Sequence, residues 1–80
     1  MRLPRDLSGE ELARALARLG YEVTRQSGSH VRLTTNQKGE HHITIPLHNS
    51  LKPGTFNVIL LEIADHFGIT KKELVRFLFE

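Results

Sequence analysis

A histidine that follows a glycine and a serine, with an arginine two positions later, is the grouping in this chain best suited to chemistry: Gly28-Ser29-His30 and Arg32. Imidazole changes charge near neutral pH, so His30 can take a proton from a ribose hydroxyl or give one to a leaving oxygen. A guanidinium can hold the phosphate between those two atoms. Arg32 would share a strand face with His30, because alternate residues point the same way. On pattern alone, a simply solvated strand histidine is the commoner explanation.

Three further side chains are candidates for contacting a phosphate. His48 follows Pro46, and because proline ends strand pairing, the chain should leave the sheet there with His48 beside its face. His48 is the best candidate for a second acid/base or phosphate-binding group, although a loop histidine is more often only solvated. Ser29 and Lys52 are further candidates for contacts to an RNA backbone.

The histidines do not predict a metal site. His41 and His42 are adjacent, so in a strand they point to opposite faces and cannot clamp one ion together. A site of His30, His42 and His48 is conceivable, but the chain has no cysteine and its nearby carboxylates lack a diagnostic ligand spacing. Glycine-rich phosphate loops, nucleophile elbows and magnesium-binding carboxylate pairs are also missing from the sequence. We expect neither a metal nor a small-molecule cofactor.

A helix near the start of the chain is the first element that would position these residues. Ser8 and Glu11 have the spacing of a capping box, in which each residue bonds the other's backbone N–H. Apolar residues then repeat at helical spacing until Gly20 supplies a stop. These features predict a helix from about Gly9 to Leu19.

The pattern next changes to a period of two, which is typical of strands with one buried face. It predicts strands around Tyr21–Thr24, His30–Thr34 and His42–Leu47. A tight turn is expected at Ser27-Gly28 and another at residues 36–39, so the sheet should be an antiparallel meander. The side chains expected on its polar side are Glu22, Thr24, Gln26, His30, Arg32, Thr34, His42 and Thr44.

Two helices should follow the sheet. Thr55 is the expected N-cap of the first, which Gly68 would stop. Thr70 and Glu73 repeat the capping-box spacing at the start of the second helix. Its inner stripe is expected to be Leu74, Phe77 and Leu78. The order α-β-β-β-α-α predicts one α+β domain over residues 1–80, a three-stranded antiparallel sheet with helices on one face.

Composition limits the class of protein. The net charge of +2 does not by itself indicate nucleic-acid binding. Between Thr24 and Thr55, however, four lysines and arginines and four histidines accompany a single carboxylate, so a polyanion would dock on this middle segment. The chain has no cysteine, no signal-like apolar stretch at Met1–Asp6 and no twenty-residue apolar run, which predicts a cytoplasmic protein without a membrane partner.

Four segments together carry a resemblance to a known family. They are Leu16-Ala17-Arg18-Leu19-Gly20-Tyr21, Gln26-Ser27-Gly28-Ser29-His30, Ile45-Pro46-Leu47-His48 and Leu51-Lys52-Pro53-Gly54-Thr55-Phe56. In order and spacing they resemble the HicA-type (YcfA-like) mRNA interferase toxins of bacterial and archaeal toxin-antitoxin pairs. The resemblance implies a fold like that of double-stranded-RNA-binding domains, an RNase activity that depends on His30, and a HicB-type antitoxin that covers the site. His41-His42 and Asn49-Ser50 depart from the family pattern, which bears on substrate contacts.

Pattern and resemblance together favour the toxin of a type II toxin-antitoxin system, a metal-independent endoribonuclease that cleaves mRNA. His30 would act as general acid or base, Arg32 or Lys52 would steady the phosphate, and His48 would assist. Two alternatives stay open. A double-stranded-RNA-binding module would hold RNA without cutting it, and a pure interaction protein would bind only an antitoxin-like chain.

Overall fold

The computed structural model describes residues 6–80. Met1 to Arg5, which make up most of the N-terminal stretch expected not to be signal-like, lie outside the described residues. The elements are α1 (Gly9–Leu16), a 3₁₀ turn (Ala17–Leu19), β1 (Glu22–Ser27), β2 (His30–Thr35), β3 (His41–Pro46), α2 (Pro53–Phe67) and α3 (Lys71–Phe79). The strands form one antiparallel sheet in the order β1-β2-β3. The predicted α+β class and element order are confirmed. No helix within residues 6–80 is long and apolar enough to span a membrane.

The capping box predicted for α1 is present. The Ser8 hydroxyl accepts from the Glu11 N–H, and the Glu11 carboxylate accepts from the Ser8 N–H, each at 3.0 Å. The backbone bond and then the side-chain bond to Ser8 lower the pKa of the Glu11 carboxyl. The last turn of the predicted helix tightens into the 3₁₀ turn, and Gly20 ends it at a φ of 82°.

The hairpin between β1 and β2 turns one residue later than predicted. Gly28 and Ser29 form the turn, and Ser27 pairs directly with His30. Gly28 has a φ of 57° and Ser29 has no positive φ, which is the pattern of a two-residue type II′ turn with glycine first. The turn therefore delivers His30 to the first position of β2.

The predicted alternation of β1 is wrong. The register with β2 shifts between Val23 and Arg25, so a bulge at Thr24 moves Arg25 to the polar side and Gln26 to the helix side. Val23, expected to be buried, is 57% exposed. All of β1 is exposed, because the helices cover β2 and β3 and leave this edge strand open.

The core lies between the helices and one face of β2 and β3. That face contributes alternate residues of the two strands, as predicted, and the helices contribute their apolar stripes. The buried apolar residues are Leu12, Leu16, Tyr21, Val31, Leu33, Ile43, Ile45, Leu51, Phe56, Ile59, Leu60, Ile63, Ala64, Leu74, Val75 and Leu78.

The last two helices differ from prediction in detail. The first, α2, begins at Pro53 with Lys52 as N-cap, rather than after Thr55, because proline fits the first helical position. Gly68 ends it as predicted, at a φ of 68°. The second, α3, has the predicted capping box. Its inner stripe includes Val75 in place of Phe77, whose ring is half exposed.

A close contact between α1 and the end of β3 requires a glycine. An added Cβ at Gly9 would lie 2.0 Å from the carbonyl oxygen of Pro46. The Gly9 N–H donates to the carbonyl of His48 at 3.0 Å, and the Leu47 N–H donates to that of Ser29 at 2.6 Å. These contacts hold the segment after β3 between the start of α1 and the hairpin turn.

Candidate active site

The polar face of the sheet, the face turned away from the helices, is organised in three rows of directly paired residues. Paired residues of antiparallel strands point to the same side. The first row is Ser27, His30 and Pro46, the second is Arg25, Arg32 and Thr44, and the third is Glu22, Thr34 and His42. Successive rows are two residues apart along β2, or about 7 Å.

The His30 imidazole has no partner within the described residues. It is exposed, and none of the hydrogen bonds or ion pairs found within residues 6–80 includes it. Its neighbours in the first row are Ser27 and Pro46, and the proline ring offers neither a donor nor an acceptor. Both ring nitrogens are therefore available to a ligand.

Two arginines face each other one row away. Arg25 and Arg32 are directly paired across β1 and β2, and both are exposed. Like charges in this position destabilise a sheet, and the ion pairs found within residues 6–80 neutralise neither of them. An anion placed over the second row would remove that repulsion. The predicted Arg32 is thus joined by Arg25, which the sequence reasoning missed because a β-bulge leaves no clear sequence signal.

The third row contains a histidine whose two nitrogens are both engaged. His42 Nε2 lies 2.7 Å from Glu40 Oε2, and its Nδ1 lies 2.7 Å from the Thr34 hydroxyl. The Thr34 hydroxyl is in turn 2.8 Å from that of Thr24, which donates to the carbonyl of Arg32 at 3.3 Å. Since a carboxylate only accepts, Nε2 carries a proton. His42 therefore belongs to a chain of hydrogen bonds across the sheet.

The two polar-face histidines are too far apart to share a ligand atom. His42 pairs with Thr34, which is four residues from His30 along β2, or about 13 Å. One phosphate or one metal ion cannot contact both. Within residues 6–80, no three histidine or carboxylate side chains are placed to hold a metal ion.

The other predicted site residues are placed around the first row. Ser29 lies in the turn before His30, and its carbonyl accepts the Leu47 bond described above. His48 is exposed, two residues beyond Pro46, the direct partner of His30. Lys52 is exposed at the N-cap of α2, outside the three rows. The structure therefore places Ser29 beside His30 and bonds it to Leu47, sets His48 just beyond the end of β3, and shows no side-chain bond from Lys52 within residues 6–80.

A second pair of histidines lies on the helix side, as expected for His41. The rings of His41 and His66 stack with centroids 4.4 Å apart. Burial raises the pKa of the Tyr21 hydroxyl to about 12, and the hydroxyl oxygen lies within hydrogen-bond distance of His41 Nδ1, at 2.7 Å. Burial, and then the nearby His66, lower the pKa of His41. Burial in this stack therefore favours the neutral form of the His41 ring.

A comparison of the chain with protein families gives one match. The family described as HicA toxin of bacterial toxin-antitoxin systems matches residues 9–65, which include α1, all three strands and most of α2. The chain belongs to the HicA toxin family. This HicA-family chain is accordingly a toxin with an antitoxin partner. Comparisons with curated proteins and with solved structures give no significant match.

Proposed function

We propose that this HicA-family toxin is an endoribonuclease that cleaves mRNA in the cytoplasm without a metal, with His30 as its acid/base group. The observation that carries the proposal is the unpartnered His30 imidazole, one row from the Arg25 and Arg32 pair. The same polar face thus offers a group that can move a proton and a site that favours an anion. A phosphodiester of RNA needs both.

In the proposed reaction, RNA supplies its own nucleophile. His30 removes the proton from a ribose 2′-hydroxyl, and the 2′ oxygen then forms a bond to the adjacent phosphorus. The bond from phosphorus to the 5′ oxygen breaks, and that oxygen receives a proton from the His30 imidazolium or from water. The products are a 2′,3′-cyclic phosphate and a 5′-hydroxyl end.

The remaining candidates supply contacts to the backbone. Arg25 and Arg32 offset the negative charge of the phosphate, which grows in the transition state. His48 is the candidate second acid, because it lies just beyond the residue paired with His30. Ser29 and Lys52 would contact neighbouring phosphates, Ser29 from the hairpin turn and Lys52 from the start of α2.

The test is cleavage of a defined mRNA by the purified toxin in the presence of a chelator. We expect cyclic-phosphate ends, no cleavage when the nucleotide before the scissile bond is 2′-deoxy, and loss of both cleavage and growth arrest in His30→Ala. His42→Ala serves as the matched control, since it also removes an exposed polar-face histidine. Full activity of His30→Ala, or cleavage of the deoxy substrate, would refute the assignment.

RNA binding without cleavage is the second candidate, because the arginine pair would attract a phosphate backbone whether or not chemistry follows. Its signature is a strongly salt-dependent affinity for RNA that is left intact. Expression of such a protein without its antitoxin would also leave growth unaffected. Cleavage by the wild-type chain excludes this candidate.

A further inference from the structure

The two free edges of the sheet differ in their protection against pairing with another chain. β1 carries a bulge at Thr24 and charged residues, both of which discourage strand addition. β3 pairs with β2 in unbroken register, and only its Pro46 end is closed, by the contact with Gly9. From His41 to Ile45, the edge of β3 has neither a bulge nor a lysine, arginine or carboxylate residue.

The main-chain groups on this edge point outward at two residues. The Leu47 N–H bonds the carbonyl of Ser29, so Leu47 faces β2. Orientation alternates along an antiparallel strand, and the main-chain N–H and C=O of Thr44 and His42 therefore face away from β2. They are the groups that an added strand would bond.

A groove lies directly beside this edge, between β3 and α2. It has a volume of about 540 Å³, and Thr44, Thr55, Val58, Ile59 and Glu62 are among its lining residues. Val58 is 54% exposed, and Glu62 lies one turn further along the same face of α2. A strand added about 4.8 Å from β3 would place alternate side chains over Val58 and Glu62.

The charge of the groove is opposite to that of the polar face. α2 has no lysine or arginine, and Glu62 takes part in no ion pair within residues 6–80. A phosphate backbone would be repelled here. A second copy of the chain, docked through the same edge, would bring its own Glu62 toward this one. A polypeptide with a basic side chain fits the groove better than a phosphate backbone or a second copy of this chain.

We infer that the open edge of β3 binds an extended segment of the antitoxin, with an aliphatic side chain on Val58 and a lysine or arginine beside Glu62. Its backbone bonds the N–H and C=O groups of His42 and Thr44, as in other cases of strand addition. The inference rests on the antitoxin partner of a HicA-family toxin and does not depend on the proposed nuclease chemistry. The added strand brings the partner to the border of the polar face.

The test is the affinity of the full-length toxin for its full-length antitoxin. Thr44→Pro removes an outward N–H, a change that an edge strand tolerates, and we expect binding to weaken by at least about tenfold. Gln26→Pro makes the matched change at an outward N–H of β1 and should stay within about twofold of wild type. Glu62→Lys and Val58→Asp should also weaken binding, while RNA cleavage by the free toxin is retained.

Amide hydrogen exchange gives a second readout, which does not need the proline variant to fold. We expect the amides of His42 and Thr44 to become protected when antitoxin is added, and that of Gln26 to stay unprotected. Wild-type affinity in Glu62→Lys with no such protection would overturn the inference. A dimer of the toxin alone that Val58→Asp dissociates would overturn it too. Missing RNA cleavage with normal antitoxin binding would instead count against the nuclease proposal.

Discussion

His30 and His42 stand at opposite ends of one sheet face, and their surroundings assign them different roles. Both are exposed residues of the polar face, two rows apart. His42 is bonded to Glu40 and Thr34, whereas His30 has no such partner within the described residues. Exposure and strand position do not distinguish the two rings. Their hydrogen-bond partners do, since a nitrogen that already has a partner must release it before it can exchange a proton with a substrate.

The difference arises from what each row places beside the ring. The first row sets Pro46, which has no side-chain donor or acceptor, on one side of His30, and on the other side Ser27, whose hydroxyl makes no bond to the ring within the described residues. The third row sets a threonine next to His42, and the preceding turn adds the Glu40 carboxylate. One end of the face is therefore kept open, and the other is bonded into the sheet.

The largest expected contrast is in cleavage rate. His30→Ala should lower the single-turnover rate by about 10²- to 10⁴-fold, the usual contribution of one acid/base group. His42→Ala should lower it by less than about tenfold, because its ring already serves a structural bond. Equal losses in the two variants would show that the hydrogen-bond partners do not decide which histidine acts.

The second contrast concerns RNA affinity. Arg25→Ala should weaken binding about tenfold, the effect of one charge-assisted hydrogen bond. The slope of log affinity against log salt should fall by about one. Arg14→Ala is the control, because Arg14 is also an exposed arginine but pairs with Glu10 on α1. A slope that is unchanged in Arg25→Ala would mean that no phosphate lies over the second row.

The third contrast is in stability. Thr34→Val keeps the side-chain shape but removes the hydroxyl that links His42 to Thr24, so the free energy of unfolding should fall by about 1 kcal/mol. Thr44→Val makes the same change on the same face, where no hydroxyl bond is lost, and should be nearly neutral. Urea denaturation measures both. A Thr44→Val loss as large as that of Thr34→Val would contradict the structural role of the chain of bonds.

The smallest expected effect is the pH dependence of stability. Burial and His66 hold the pKa of His41 below its ordinary value of 6.5, so the unfolded chain binds this proton more readily than the folded one. Stability should therefore fall as pH drops below about 6.5 toward the folded pKa. The thermal midpoint of His41→Phe should fall less than that of wild type between pH 7.5 and 5.5. An identical fall of the thermal midpoint with pH in the two proteins would show that the stacked histidine pair does not cause the pH dependence.

Sequence reasoning found the local parts of this fold. The capping boxes of Ser8 with Glu11 and of Thr70 with Glu73 depend on spacing alone, and both are present. The bulge at Thr24 was missed, because it depends on how β1 meets β2 and not on residue types. The earlier start of α2 was readable from Pro53, which suits a first helical position better than the threonine that follows.

The same distinction, between features set by local spacing and features set by strand pairing, applies to the candidate site. Strand parity placed His30 and Arg32 on one face, and the structure agrees. Parity could not place Arg25 there, since the bulge reverses its side. Nor could it show that His42 is bonded at both nitrogens, because Thr34 is its neighbour only through the β2 and β3 register.

Gly9 gives a way to tune the toxin without altering any of the groups proposed to contact RNA. Its position against the Pro46 carbonyl leaves no room for even a methyl group, so Gly9→Ala must push α1 and the end of β3 apart. That displacement acts on the residue paired with His30 while all candidate chemical groups keep their identity. Substitution at this one position should therefore yield attenuated, temperature-sensitive alleles that still carry every candidate chemical group.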